Sequence, residues 1–192
     1  MSEAPGAERI RAFLALPLSC GQRDEVGGQI APLRGAGDPV RWVPPENLHV
    51  TLRFFGDVGR DGLLRIEERL SRAAASASPF TFRLGSAGAF PNLRAARVLW
   101  VGVSEGEEAV TSLAARIEES ITGLGFPKEK RFHAHITVGR TKGSLTPRFR
   151  KRFAGIAVEP VEARAASFSL MKSTLSPRGA RYEVLREFPL RG

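Results

Sequence analysis

The hydrophobic pattern alternates strictly in two short stretches of the chain, residues 48–55 (LHVTLRFF) and residues 133–138 (HAHITV). Alternation with a period of two is typical of a β-strand, whose successive side chains point to opposite faces of a sheet. Each stretch carries a His-x-Thr pair on its polar face, at residues 49 and 51 and again at residues 135 and 137. The sequence therefore predicts two similar strands, each with an apolar back and a polar front.

The first strand is predicted to divide its residues evenly between its two faces. The apolar face takes every second residue: Leu48, Val50, Leu52 and Phe54. The polar face takes the residues between them: His49, Thr51, Arg53 and Phe55. A simpler interpretation is two half-exposed strand histidines with β-favouring Thr neighbours. That interpretation suits either stretch alone, but it explains poorly why two of three histidines have Thr two positions later.

The rest of the chain alternates predicted strands with amphipathic helices. Residues 1–8 are predicted to form a flexible tail, and residues 9–192 a single domain. Capping boxes are predicted at Ser19 with Gln22 and at Ser104 with Glu107, each before apolar residues at helical spacing. The Gly- and Pro-rich residues 85–96 predict a long loop or wide hairpin.

These elements predict an α+β fold built from a duplicated unit. The two motif strands occupy comparable places in the order of elements, and each follows a predicted helix. We expect two lobes with antiparallel sheets that face a central groove, and helices on the outside. The duplication rests on this pattern, because the two halves share little identity outside the motifs.

Composition limits the partners, the cellular compartment and the metal sites that the protein can be expected to have. The formal net charge is +9, which favours a polyanionic partner such as RNA, although many basic proteins have no specific partner. One Cys excludes a disulfide within the chain and predicts a cytoplasmic protein, and with three His it makes a structural zinc site a poor fit. The apolar run near residues 12–20 is short and contains Pro17, so it predicts a strand rather than a secretory signal. No run reaches membrane-spanning length, so no membrane is expected.

The paired motifs suit acid–base chemistry at an anion. If the two sheets face each other across a groove, His49 and His135 point inward from opposite sides. One neutral and one protonated imidazole would then supply a base and an acid near neutral pH. The hydroxyls of Thr51 and Thr137 can donate hydrogen bonds to a tetrahedral anion, and the basic composition favours phosphate as that anion.

Paired His-x-Thr-x motifs 86 positions apart, in a chain of this size, resemble the two-histidine (2H) phosphoesterase superfamily. Residues 41–56 (RWVPPENLHVTLRFFG) are similar to the bacterial and archaeal RNA 2′,3′-cyclic phosphodiesterases, the LigT-like or ThpR proteins, also known as 2′-5′ RNA ligases. Three further stretches carry the likeness: residues 11–15 (RAFLA), 132–140 (FHAHITVGR) and 181–190 (RYEVLREFPL). One departure is Ala134, where the family usually has Pro; it costs some rigidity and removes no chemical group.

The resemblance implies a LigT-like fold and metal-independent hydrolysis of RNA 2′,3′-cyclic phosphate ends to 2′-phosphomonoesters, without a cofactor. It implies that His49 donates a proton to the departing 3′ oxygen and that His135 accepts one from the attacking water. It further implies that Thr51 and Thr137 bind the phosphate oxygens, with Arg140 adding a charge. The expected partner is RNA with a cyclic phosphate end, such as a tRNA fragment, and the expected state is a monomer.

Four other side chains are candidate RNA contacts, each with a structural alternative: Arg53, Phe55, Trp42 and His133. A solvated or ion-paired Arg is as common as an RNA-binding one, and core packing is the commoner role of such aromatic rings. His133 lacks a Thr two positions later, so we interpret it as a flanking polar residue rather than a third catalyst. The basic residues 148–153 suit either RNA phosphates or the solvent face of a helix.

Two alternative functions use the same residues. The reverse reaction is an ATP-independent 2′-5′ RNA ligation, which water at about 55 M opposes by mass action. A non-catalytic RNA-binding module is the second alternative. It predicts salt-sensitive binding that survives replacement of both motif histidines by Ala.

Overall fold

The computed structural model of the chain describes residues 9–129, 131–159, 161–177 and 179–192, and the tail predicted at residues 1–8 lies outside them. The strands are β1 (Ile10–Pro17), β2 (Val40–Trp42), β3 (His49–Val58), β4 (Phe80–Phe90), β5 (Val98–Glu105), β6 (His135–Thr141), β7 (Glu162–Ala165), β8 (Ser167–Ser176) and β9 (Gly179–Pro189). The helices are α1 (Cys20–Arg34), α2 (Arg60–Ala75), α3 (Glu107–Ser120) and α4 (Pro147–Ala154).

In the described part of the chain the strands form one antiparallel sheet, in the order β7-β4-β5-β6-β3-β1-β8-β9, with β2 also paired to β6. The two halves of the sheet meet where β3 lies beside β6. Among the described residues one Cα pair joins these two strands, Val50 with Ile136. The predicted α+β class with antiparallel strands is confirmed.

The halves of the sheet are not halves of the chain. The C-terminal hairpin β8–β9 pairs with β1 from the N-terminus, and β2 from the N-terminal part pairs with β6. The two predicted lobes are therefore interlocked, because each receives strands from both ends of the sequence.

Helix α3 supplies much of the apolar layer behind the motif strands. Its residues at helical spacing, Val110, Leu113 and Ile117, are buried, and the helix packs against β3. The helix ends before Gly123 and Gly125, whose positive φ angles suit Gly and stop regular helix. None of the helices in the described ranges is long and apolar enough to cross a membrane.

The predicted capping box of α1 is confirmed. The Ser19 hydroxyl accepts a hydrogen bond from the Gln22 backbone N–H, and the Gln22 side chain accepts one from the Ser19 N–H. Gln22 is fully buried, and its amide nitrogen also donates to the carbonyl oxygens of Phe82 and Val161. One side chain therefore begins the helix and fastens it to the β4 edge of the sheet.

The second predicted capping box is wrong. Gly106 precedes α3 with a φ of 74°, and a Cβ there would lie 2.3 Å from the Thr81 carbonyl oxygen. This close backbone approach excludes other residues and sets where the helix begins. The Ser104 hydroxyl instead donates to the Leu84 carbonyl, at 2.9 Å.

Of the two alternatives predicted for residues 85–96, the hairpin is confirmed and the long loop is wrong, because β4 continues to Phe90 and pairs with β5. The small residues that suggested a loop are required by packing. A Cβ at Gly88 would lie 2.3 Å from the Trp100 ring, so the indole lies directly over the bare backbone of the neighbouring strand. The strand pairing is also irregular between Leu84 and Ala87, which hides the period of two.

A buried arginine links the first motif strand to the segment that precedes the second. Arg53 of β3 is 5% exposed, and its guanidinium pairs with Glu118 of α3 and with Glu129, both at 2.9 Å. It also donates to the carbonyl oxygen of Pro127. Since that segment leads into the second motif, the cation fixes one motif strand relative to the other.

We expect Arg53→Ala to lower the free energy of unfolding by about 3–5 kcal/mol, because it leaves two partly buried carboxylates without their cation. Urea denaturation measures this loss. The matched control is Arg72→Ala, whose ion pair with Glu68 lies on the exposed face of α2 and is expected to contribute at most about 1 kcal/mol. Equal losses in the two variants would contradict a structural role for Arg53.

Candidate active site

The pairing of Val50 with Ile136 sets the geometry of the candidate site. Both side chains are completely buried, so their neighbours along the strands lie on the opposite face. In this antiparallel register His49 lies across from Thr137, and Thr51 lies across from His135. All four side chains line one cavity of about 530 Å³. The two motifs therefore meet as neighbouring strands of one sheet, related by an approximate two-fold axis at this pair.

The same hydrogen bond orients both imidazoles. Nδ1 of His49 lies 2.7 Å from the carbonyl oxygen of Asn47, and Nδ1 of His135 lies 2.7 Å from that of His133. A carbonyl oxygen only accepts, so Nδ1 carries the hydrogen in each ring. The neutral tautomer therefore keeps a lone pair on Nε2, the nitrogen left for a ligand in the cavity.

Aromatic rings enclose each imidazole. The Phe13 ring lies 5.0 Å from the His49 ring, between centroids, and the Tyr182 ring lies edge-on at 5.4 Å. The Phe90 ring lies edge-on to His135 at 5.1 Å, with Trp100 behind it at 6.3 Å. These rings hold the imidazoles in place and exclude water from one side of each.

Enclosure lowers the pKa of both histidines. Burial lowers the pKa of His49, a hydrogen bond to Asn47 opposes the shift, and the charge of His135 adds to it. Burial also lowers the pKa of His135, where the charges of His133 and Arg140 add to the effect and a backbone hydrogen bond opposes it. Both rings therefore favour the neutral form more than a free His does.

Arg140 and Tyr182 add a positive charge and a phenol to the lining of the cavity. Arg140 follows Thr137 on β6, is exposed, and lines the cavity. Burial raises the pKa of Tyr182, which the charge of Arg140 partly opposes, so the phenol stays protonated at neutral pH. It can therefore donate a hydrogen bond to an anion.

Tyr182 is the functional candidate that the motifs do not indicate. It lies on β9, 133 positions after His49, and reaches the cavity because β9 follows β8 beside β1. It is the one Tyr of the chain, and it occurs in the tail stretch similar to the family. The family likeness of that stretch could have indicated Tyr182, but it implied no role for the phenol.

The predicted faces of β3 are wrong beyond Leu52. Thr51 pairs with Ala15 and Arg53 with Leu14, so Leu52 is an extra residue in a β-bulge, and Phe55 is a second one. Arg53 consequently turns toward Glu118 of α3, and its side chain still forms part of the cavity lining. Phe54 turns to the front, where it is 52% exposed and lines the cavity.

Two predicted RNA contacts consequently lie elsewhere than expected. Phe55 is 9% exposed and packs against Phe126, with ring centroids 5.1 Å apart, so it does not face the groove. Trp42 packs toward Phe149 of α4, 6.1 Å away, and does not belong to the described lining of the cavity. His133 does line the cavity, with its ring 5.7 Å from His135.

The arrangement brings the two motif imidazoles, two hydroxyls, a phenol and the Arg140 guanidinium around one cavity, whose lining also includes His133, Arg53 and Arg131. These groups suit an anion that gains and loses protons at opposite ends. Among the described residues, no group of three or more His, Cys, Asp or Glu side chains is placed to hold a metal ion. Cys20 is exposed and lies at the start of α1, outside the described cavity lining.

Comparisons with known proteins agree with this architecture. A family model described as LigT-like phosphoesterase matches residues 23–100 and 101–182, one segment for each motif. A protein of Methanothermobacter thermautotrophicus named RNA 2′,3′-cyclic phosphodiesterase is 39% identical over 187 residues, covering 95% of this chain and 100% of the relative. A protein of Archaeoglobus fulgidus with the same name is 39% identical over 181 residues, covering 93% of this chain and 99% of the relative.

Solved structures show the same fold. The crystal structure of TT0787 of Thermus thermophilus has a TM-score of 0.82 and 29% identity, covering 95% of this chain and 99% of that one. The crystal structure of E. coli LigT complexed with 3′-AMP has a TM-score of 0.80 and 25% identity, covering 96% of this chain and 100% of that one.

We expect NMR titration of the imidazole Cε1–H signals to give a pKa below 6.5 for both His49 and His135, because burial disfavours the charged rings. His49→Gln and His135→Gln assign the two signals. Inorganic phosphate should raise both pKa values, since an anion in the cavity stabilises imidazolium. A pKa at or above 6.5 for either ring in the free protein would contradict the enclosure described above.

Proposed function

The chain belongs to the LigT-like phosphoesterase family, and we propose that it hydrolyses the 2′,3′-cyclic phosphate at an RNA end to a 2′-phosphomonoester. The observation that carries this proposal is the pair of His/Thr strands that meet at Val50 and Ile136. Relatives that cover nearly the whole chain bear the name of this activity, which supports the choice of substrate.

The proposed reaction is an in-line displacement at phosphorus. A water oxygen attacks phosphorus and gives its proton to Nε2 of His135. The bond from phosphorus to the 3′ oxygen breaks, and that oxygen takes a proton from Nε2 of His49. Attack and departure occur on opposite sides of phosphorus, which suits two imidazoles on either side of an approximate two-fold axis.

We assign the acid to His49 and the base to His135 because of the likeness to the family. Burial has the largest effect on both rings and lowers the pKa of each. The charges of His133 and Arg140 further disfavour the protonated form of His135, and the charge of His135 does the same for His49. The cyclic phosphodiester brings a negative charge into the cavity, which favours a proton on one of the two imidazoles.

The hydroxyls are proposed to bind the two non-bridging phosphate oxygens. Each of Thr51 and Thr137 lies across from the histidine of the other motif, so the four groups can surround one tetrahedral phosphate. Arg140 adds a positive charge beside them. This set supplies the acid, the base and the anion binding, so the proposed reaction proceeds without a metal ion or cofactor.

The exposed ring of Phe54 is proposed to stack on the terminal base. It lies on the same face as His49, and its centroid is 5.7 Å from that of Phe13, which packs on His49. Aromatic stacking on unpaired bases is the common mode of single-stranded RNA recognition. His133 lines the opposite side of the cavity, where it remains a proposed RNA contact.

The direct test uses a short RNA that ends in a 2′,3′-cyclic phosphate, incubated with the protein in EDTA. We expect complete conversion to a 2′-phosphate end, identified by mass spectrometry and by co-migration with a synthetic 2′-phosphate standard rather than a 3′-phosphate one. His49→Ala and His135→Ala should each lower kcat by about 10²–10⁴-fold, as loss of a general acid or base does.

The outcomes of this test separate the competing functions. Activity that depends on added metal ions would contradict the proposed mechanism. Joining of the RNA to a 5′-hydroxyl end at rates above hydrolysis would favour ligation. RNA binding without conversion, unchanged when both histidines are replaced, would favour a binding module.

We expect kcat/KM to have a bell-shaped pH dependence with its maximum below pH 6.5. Falling pH protonates the base, rising pH deprotonates the acid, and burial lowers the pKa of both rings. Initial rates between about pH 4.5 and 8.5, at constant ionic strength, measure this profile. A flat profile between about pH 5 and 8 would exclude the paired-histidine mechanism.

A further inference from the structure

Two arginines lie opposite each other on the neighbouring strands β2 and β6, and one of them, Arg140, lines the cavity. Arg41 and Arg140 are register partners in the antiparallel pairing of these strands, and both are exposed. We propose that Arg41 binds a backbone phosphate of the RNA on the 5′ side of the cyclic end, next to the phosphate that Arg140 contacts. The inference rests on the proposed function and deepens it, since it makes an oligonucleotide the preferred substrate over a mononucleotide.

The charges of this pair are not neutralised by carboxylates in the described part of the chain. Neither arginine forms an ion pair with a carboxylate among those residues. Directly opposite residues of an antiparallel pair have Cβ atoms about 4.5–5.5 Å apart, and like charges there are destabilising. RNA phosphates beside the two guanidinium groups would neutralise this repulsion, and Arg binds phosphate oxygens with paired N–H groups.

A second contact fixes the position of Arg41. Its guanidinium donates to the carbonyl oxygen of Pro177, at the tip of the β8–β9 hairpin. The side chain of Asn47 donates to Ala180 in the same hairpin, at 3.0 Å. The hairpin tip therefore holds Arg41 beside the cavity, and the remaining guanidinium N–H groups are left for a ligand.

The spacing along β6 suits an RNA chain that runs from the motif residues toward Arg140. Arg140 follows Thr137 by three residues, which is about 10 Å along a strand. A stacked strand rises about 3.4 Å per nucleotide, so Arg41, opposite Arg140, lies within reach of the next one to three phosphates.

The other side of the cavity is less suited to RNA. There the cavity borders a second hollow of about 450 Å³, next to α3. Its lining includes the carboxylates of Glu118, Glu119 and Glu129, against the cations of Lys128 and Arg131. Arg53 pairs with Glu118 and Glu129, so the charges on this side nearly cancel. The path past Arg41 and Arg140 carries two cations without carboxylate partners in the described part of the chain, so it attracts a polyanion more strongly.

The test compares one substrate that reaches Arg41 with one that does not. The first is a tetranucleotide ending in a 2′,3′-cyclic phosphate, and the second is adenosine 2′,3′-cyclic phosphate. We expect Arg41→Ala to lower kcat/KM for the tetranucleotide by about tenfold, mainly through KM, and to leave the mononucleotide value unchanged. The salt dependence of tetranucleotide binding should weaken by about 0.7 in the slope of log K against log salt, the value for one lost phosphate contact.

Two further variants separate phosphate binding from a structural role. Arg41→Lys keeps the charge and should keep the salt slope. Arg65→Ala removes an exposed charge from α2, a helix that contributes nothing to the described lining of the cavity. It should change kcat/KM for neither substrate. The phosphate subsite is wrong if Arg41→Ala lowers kcat/KM equally for both substrates, or for neither. It is also wrong if Arg41→Lys loses as much of the salt slope as Arg41→Ala does.

Binding of a fluorescent tetranucleotide ending in a 2′-phosphate provides a readout independent of turnover. If the wild-type protein hydrolyses neither cyclic substrate, the proposed function fails. The effect of Arg41→Ala on this binding then still decides whether Arg41 contacts RNA.

Discussion

The structure depends on one strand contact, the pairing of Val50 with Ile136. Because both side chains lie in the core, neither motif strand can slip by one residue without exposing its apolar face and burying its histidine. The hydrophobic layer beneath β3 and β6 thus fixes which side chains face the cavity. The register of the candidate site is a consequence of packing, and the polar groups do not have to specify their own arrangement.

The backbone then determines what each imidazole can do. A carbonyl two residues earlier holds Nδ1–H in both motifs, so the ring cannot present the wrong nitrogen to a ligand. Burial among aromatic neighbours lowers the pKa of both rings, which keeps the centre of the site uncharged in the free protein. Under the proposed function, an anionic substrate would raise the pKa of these rings as it binds, because a phosphate stabilises the charge of an imidazolium.

The sequence was sufficient for the parts of the fold that depend on local periodicity. The two motif strands, the apolar stripe of α3 and the Ser19 cap of α1 follow from residue spacing alone. The errors occur where a distant residue decides the local structure. Gly88 belongs to a strand because of Trp100, Gly106 begins α3 because of Thr81, and the bulge at Leu52 exchanges the faces of Arg53 and Phe54.

Tyr182 shows the same limit at the candidate site. No spacing rule connects it to His49, because the contact requires the C-terminal hairpin to pair with the first strand of the chain. The motif pattern identifies groups that recur in sequence. It cannot identify a group that the fold supplies once, from the far end of the chain.

Arginine illustrates why net charge alone is a weak guide to function. Arg53 lies just after the first motif, yet it is buried between two carboxylates and fastens the segment before the second motif. Arg41 and Arg140 are exposed and opposed, without carboxylate partners in the described part of the chain. Only the second kind of arginine leaves positive potential available to a polyanion. The approximate two-fold symmetry of the histidines is thus broken by where the unneutralised charge lies. Under the proposed function, this charge gives the RNA a preferred direction across two otherwise similar halves of the site.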